Sequence, residues 1–397
     1  MKRVALLCMG LALGAATAAE AQLTMQMSNG WSFTFAGNVN AFLTYETFGE
    51  DGATATPGGL VPAGGVSETR IRTGLLPAFA VFDAKGKEGN TDLSVHFGFA
   101  PQINCGTGVH DCFGAQIDMR QVFLTVGGAW GQILAGRELG LFARQNILTD
   151  QTLFGVGGTG SAGAPGVGGG GTTLGRIGYG YPYAQFKAQM TYSTAAGRPF
   201  QLSVGLFESA VNGNYTKTQI PRVEAEGVWT GGNTKVWVGA LAQTNKNPIN
   251  DESASSVGAS GGVRFGSSTF SLTGSGYYGK GIGTTLLFNL GTCGATCGAG
   301  GGDDLRTSYG FIGQLTFTPA NSKVTVAGSY GSSYLKSADN DPVEGKTENT
   351  LISGGLYFQA TKSLKVVGEV NYAWTADDTD NDKNTSFAPA FGLMLFF

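Results

Sequence analysis

Residues Glu138 to Ala184 read ELGLFARQNILTDQTLFGVGGTGSAGAPGVGGGGTTLGRIGYGYPYA, and the middle of the stretch is almost pure glycine with Ala, Ser, Thr and Pro. Runs that read as β-strands flank it on both sides. A connection this long, with little structure of its own, is uncommon in a compact domain unless it is functional or a linker. Its position allows two readings: a boundary between two domains, or a loop folded back into the lumen of one large β-barrel. The rest of the chain decides between them.

Composition points to the barrel. Charged residues are 13% of the 397-residue chain, about half of the ~25% usual in soluble proteins. Glycine contributes 66 residues, far above the usual share of roughly 7%, yet mean hydropathy is neutral at +0.01. Such a chain has to spread its apolar residues thinly, and alternation does that. The 25 Phe and 13 Tyr argue against disorder. Lys2 and Arg3, the apolar run from Val4, and Ala19-Glu20-Ala21 form a secretory signal over residues 1–21. Residues 22–397 then remain as a single barrel domain. Past the signal no run of 18 apolar residues occurs, so no transmembrane helix is expected. Taking Lys2, Arg3 and Glu20 from the 25 basic and 28 acidic residues leaves 23 and 27, a net charge of −4. No basic block suggests nucleic acid.

Period-2 alternation is clearest at Leu364–Trp374. There Val366, Val370, Tyr372 and Trp374 share one face, and Lys365, Glu369 and Asn371 lie on the other. The pattern predicts strands at 31–45, 69–83, 91–100, 118–126, 130–137, 185–193, 200–208, 220–229, 234–243, 256–265, 269–279, 305–317, 323–335, 349–360, 364–374 and 385–397. Short connections alternate with long polar ones, as in a membrane barrel with short periplasmic turns and long external loops. Parity decides the central stretch. Counting Gly175–Tyr181 as a strand gives seventeen strands and long loops on both sides. Assigning Gly175–Ala184 to the loop gives an all-β, 16-stranded antiparallel transmembrane β-barrel, with both termini periplasmic. The last strand, Phe391-x-Leu393-x-Leu395-x-Phe397, ends on an aromatic residue. The rival reading, an edge strand of a soluble sandwich, would leave an aggregation-prone edge.

WSFTFAGNVNAFLTY (31–45), TRIRTGLLPAF (69–79), DMRQVFLTVGGAWGQILAGRELGLF (118–142), LGRIGYGY (174–181) and the FGLMLFF end together resemble the general porins of Gram-negative bacteria. The resemblance covers essentially the whole mature chain. It implies a homotrimer in the outer membrane whose third external loop narrows the pore, and it makes Phe397 similar to the signal read by the barrel-assembly machinery. It also implies that wall arginines face loop acids across the constriction, which carries over to Arg120, Arg137 and one or both of Arg70 and Arg72. A diffusion pore needs such a charged, polar ring and no catalytic group.

Arg70 and Arg72 are two apart and share a strand face. Arg120 is expected inward with Phe123 toward lipid, and Arg137 at the root of the loop; ordinary structural ion pairs are the alternative for each. The loop itself contributes Glu138, Arg144, Asp150 and Arg176. It lacks the acidic tip of enteric porins, and this local cation excess predicts weak anion selectivity. Within it, Leu141–Phe154 suggests a short helix, and the Gly run either hugs the wall or forms a mobile segment.

Four mature cysteines allow three pairings, of which the local ones, Cys105–Cys112 and Cys293–Cys297, are expected. No metal or cofactor site emerges. Asp377, Asp378, Asp380 and Asp382 form either a solvated loop tip or a weak Ca²⁺ site bridging lipopolysaccharide phosphates. The reading is therefore an outer-membrane channel for small hydrophilic solutes, in contact with outer-membrane lipid and lipopolysaccharide. The rivals are an anion-preferring porin and, from other classes, a barrel enzyme or adhesin. Only two histidines are present, a poor basis for catalysis.

Overall fold

The computed structural model describes residues 23–49, 57–101, 103, 117–160, 172–293, 301–342, 344–378 and 382–397. The expected signal segment, Cys105, Cys112, Cys297 and Asp380 lie outside these residues; Cys293 is disulfide-bonded.

The strands are β1 (Leu23–Gln26), β2 (Ser32–Phe48), β3 (Glu68–Arg72), β4 (Phe79–Glu88), β5 (Thr91–Pro101), β6 (Ile117–Gly128), β7 (Gly131–Leu139), β8 (Phe186–Ser193) and β9 (Phe200–Phe207). They continue as β10 (Lys217–Gly231), β11 (Thr234–Lys246), β12 (Ser253–Gly266), β13 (Phe270–Lys280), β14 (Thr307–Phe317), β15 (Val324–Lys336), β16 (Lys346–Gln359), β17 (Leu364–Asp377) and β18 (Lys383–Phe396). From β4 to β18 each strand pairs antiparallel with the next, and β18 closes on β2. Because β3 and β4 both pair with β2 they form one wall position, and β1 is a short extension on β2. The wall therefore has sixteen strands. Gly175–Ala184 contains only isolated bridges, as strand parity requires.

The alternation runs opposite to that of a soluble sandwich. On β17, Glu369 and Asn371 are buried while Val370 and Tyr372 are 50% and 43% exposed. Leu43, Leu272, Phe311, Leu356 and Leu395 are likewise exposed, and Asn40, Thr44, Gln243 and Gln314 are buried. Exposed apolar faces with polar inner faces suit lipid outside and water inside. Trp130 stacks on Tyr192 near one end of the wall (6.2 Å), and Tyr372 meets Trp374 near the other (5.9 Å). Phe397 exchanges backbone hydrogen bonds with Gly37 at 2.8 and 3.0 Å, which extends the closing seam to the final residue.

Two irregularities correct the strand reading. The expected continuous strand 69–83 is interrupted at 73–78, where Leu75 and Leu76 are buried. Pro77 lacks a ladder donor and favours such a break. Asn40 replaces the lost ladder: its amide nitrogen donates to Leu76 O at 3.0 Å, and its oxygen accepts from Gly74 N at 3.0 Å. Second, β6 carries a bulge, since Gly98 aligns with Gln121 but Phe99 with Met119, leaving Arg120 as the extra residue.

Asn40→Ala leaves the Gly74 and Leu76 backbone groups without these partners in a buried site. It is expected to cost about 1–3 kcal/mol, read as a lower thermal unfolding midpoint in detergent. An unchanged midpoint counts against this bracing role.

Candidate functional site

The connection between β7 and β8 is held by side chains of the inner wall. It begins with Leu141 and Phe142, both buried, whose N–H groups donate to Glu224 Oε2 at 2.6 and 2.9 Å. A short helix, α1 (Arg144–Thr149), follows, then a tight turn at Gln151–Phe154. Arg144 pairs with Glu226 and Asn146 accepts from Trp237 Nε1 at 2.8 Å. Gln314 accepts from Gln151 N at 2.7 Å and donates to Thr149 O at 3.0 Å. Val156 N donates to Glu369, which Gly157 N also approaches at 3.4 Å. The contacts thus reach β10, β11, β14 and β17.

The return limb closes against the outgoing one. Gly158 N donates to Gly175 O and Leu174 N to Gly158 O, each at 2.8 Å. Gly157 and Gly175 have φ of +59° and +58°, and a Cβ on Gly157 would stand 2.5 Å from the Gly175 backbone. Only glycine fits this crossing. Arg72 donates to Thr159 O at 3.0 Å and to Thr172 O, fixing both limbs to β3. Arg176 is fully buried and donates to Leu351 O and to Ser329 O and Oγ, which fixes the return limb to β15 and β16.

Asp150 accepts from the Tyr181 hydroxyl and from Thr152 N and Oγ1 at 2.9 and 2.8 Å. Burial raises its pKa, against the opposing pull of these hydrogen bonds and of Arg176. The same burial lowers Arg176 to about 10, so it stays a cation at neutral pH. Asp150, Arg176 and Tyr181 therefore form one buried cluster.

The remaining residues singled out from the sequence divide. Arg70 lies on the inner face beside Glu68 (3.5 Å). Arg120 Nε donates to Asp118 at 2.7 Å, and its guanidinium lies 6.0 Å from the Phe186 ring. Glu138 is buried and accepts from Gln121 Nε2 at 2.8 Å. Arg137 does not join them. It pairs across from Val122 and Ala188, on the face shared with Leu124 and Met190, and is exposed outward. Phe123 is also the reverse of expectation: it is buried, stacked on His96 at 4.6 Å. The bulge at Arg120 breaks the alternation, so Arg120 and Phe123 need not oppose one another.

Glu224, Glu226, Glu369 and Arg222 are the functional side chains the sequence reading missed. Arg222–Glu224 is a buried ion pair at 2.9 Å. The run Arg222-x-Glu224-x-Glu226 carried a usable signal, three charges on one face of a strand. Carboxylates offset the cation excess expected from the loop and wall arginines, since Arg70, Arg120, Arg144 and Arg222 pair with Glu68, Asp118, Glu226 and Glu224.

Between the loop and the wall segments 75–79, 98–100 and 120–121 lies a cavity of about 220 Å³. Its lining is mostly Leu, Ile and Phe, with Arg120 the charged side chain among the described lining residues. The polar, charged character expected of the constriction does not extend to this cavity, whose lining is largely apolar.

A closed, lipid-facing barrel with charged groups and a central loop on its inner side defines an outer-membrane channel. The chain belongs to the Gram-negative porin family, whose sequence model matches residues 5–382. It is an outer-membrane diffusion channel. No curated protein matches it significantly in sequence. Similar solved structures share its fold at low identity. The outer membrane channel DcaP of Acinetobacter baumannii has a TM-score of 0.67 at 13% identity, covering 94% of this chain and 99% of that one. An anion-selective porin from Comamonas acidovorans has a TM-score of 0.63 at 12% identity, covering 92% and 100%. The trimer form of OmpT of Vibrio cholerae has 0.54 at 12%, covering 93% and 100%.

Arg176→Ala removes charge-assisted hydrogen bonds from a buried site and is expected to cost about 3 kcal/mol, with a lower unfolding midpoint and a higher single-channel conductance. Wild-type values on both counts would refute the anchoring role. For Asp150 the sign follows from its raised pKa. The folded state holds the proton more tightly than the unfolded chain, so Asp150 adds stability at low pH that is lost as pH rises through its folded pKa. The midpoint of wild type minus that of Asp150→Asn should therefore grow on acidification; a flat or falling difference contradicts it.

Proposed function

We propose that the central loop narrows the lumen of a homotrimeric porin that passes small hydrophilic solutes and ions. The observation that carries this reading is the anchoring of one loop to opposed walls, by Glu224 of β10 on one side and by Glu369 of β17 and Arg72 of β3 on the other. A loop tied at both flanks reduces the free cross-section and holds its shape under flow. In this reading Arg70, Arg72 and Arg120, with Glu138, Arg144, Asp150 and Arg176, form the constriction, and no cofactor takes part. Residues 1–21 direct export, Phe397 is read by the assembly machinery, and Cys105–Cys112 and Cys293–Cys297 clip external loops. The trimer form of the Vibrio cholerae barrel supports the same assembly here. Lys336 and Lys346 pair directly across β15 and β16 at the long-loop end. Like charges so placed are unfavourable unless anions neutralise them, which suits the phosphates of lipopolysaccharide.

Purified protein in planar bilayers is expected to give discrete KCl conductance steps. Because the wall arginines are paired, the reversal potential in a salt gradient should correspond to weak selectivity, well short of the tenfold preference that about 1.4 kcal/mol produces. Absence of conductance defeats the channel reading; a strong preference for either ion defeats the charge pairing as its basis.

A further inference from the structure

The cavity beside the central loop has features that a plain barrel wall does not provide. The break in the second wall strand delivers Leu75, Leu76 and Pro77 to one side of it. The β6 bulge turns Arg120 toward it, and Tyr183 and Phe186, where the loop rejoins the wall, complete the far side. Thus the strand break and the β6 bulge converge on one cavity, and together they build an apolar chamber with a cationic corner.

A strongly hydrated sugar or ion gains little there, because it would shed water against Leu and Phe side chains that offer no hydrogen bonds in return. A purely apolar solute would leave the guanidinium unused. The size also selects. A cavity of about 150 Å³ accepts benzene, so 220 Å³ holds one ring or short alkyl body with a carboxylate attached. Asp118 engages Arg120 at Nε, and the side chain of Asp118 is 43% exposed. Tyr183 also engages the guanidinium, and of the four N–H groups beyond Nε those left over face the cavity and can receive a carboxylate.

We infer that this cavity is a binding site for small amphipathic monocarboxylates, with the apolar body against Leu75, Phe79, Phe99 and Phe186 and the carboxylate at Arg120. The channel therefore binds such acids in preference to hydrophilic solutes of equal size. The inference rests on the channel reading above and names the solute class for it.

The test uses the full-length protein in planar bilayers, and KCl conductance is recorded first, so that failure of the channel reading is seen separately. Benzoate, acetate and benzamide are then titrated while ion current is monitored. Benzoate should interrupt the current at concentrations about tenfold lower than acetate, which lacks the ring, a factor matching partial burial of an aromatic body. It should also act at lower concentrations than benzamide, which lacks the charge. Arg120→Gln should remove the advantage over benzamide and keep that of the ring. Leu75→Asn should shrink the advantage over acetate and keep that of the charge. Each variant is read only after it shows KCl steps, which establishes a folded pore. Equal action of the three probes on the wild type, or an undiminished benzoate advantage in both conducting variants, overturns the inference.

Discussion

The constraint on which the rest of this barrel depends is the backbone of the central loop. A connection of this length brings peptide groups into the lumen without a strand ladder or a long helix to match them, and buried peptide groups need partners. Wall charges supply them. Glu224 and Glu369 accept from loop N–H groups and Arg72 donates to loop carbonyls, while the loop's own Arg176 donates in return to carbonyls of the wall. The resemblance to porins implies wall arginines and loop acids that face one another across the constriction. Here several of these charges are spent on holding the loop, and the field they project into the lumen is correspondingly reduced.

Other segments from the long-loop end share the load. Leu60 N donates to Asn349 and Thr375 at 2.9 and 3.0 Å, and Tyr183 N to Thr285 O at 2.7 Å. Leu60, Leu75, Phe142, Tyr181 and Phe288 fall in one buried apolar cluster. The central loop is thus gripped by its neighbours as well as by the wall. A displacement of one segment has to break hydrogen bonds and apolar contacts in the others, so these segments interlock.

The wall was legible in the sequence because lipid imposes one rule on every strand: alternate residues must be apolar. Leu364–Trp374 obeys it in full, and the sixteen wall positions follow from it together with the alternation of long and short connections. Where the rule is broken, the reading failed. Pro77 ends the ladder inside an apolar run that still looks like a strand, since TGLLPA is apolar whether it faces lipid or the lumen. The bulge at Arg120 is invisible in the pattern, because one extra residue exchanges the two faces. Arg137 and Glu138 are neighbours, so one must face outward, and position beside the loop could not say which; the register gives the lumen to Glu138. The wall acids stand in a strand and not in the loop, and the signal they leave is Arg222-x-Glu224-x-Glu226, three charges on one inward face.

These departures have a common consequence for selectivity. An uninterrupted second strand would turn only alternate residues inward, and a regular β6 would keep strict alternation at Arg120. The break and the bulge exchange ladder hydrogen bonds for an inward apolar excursion and a reoriented guanidinium, and strand irregularities of this kind gather where a barrel re-aims side chains. Since most of the other inner cations are paired or tied to carbonyls, discrimination here falls less to a long-range field than to short-range contact at one cavity. That shifts the basis of selection from the sign of a solute's charge to the joint presence of a charge and an apolar body.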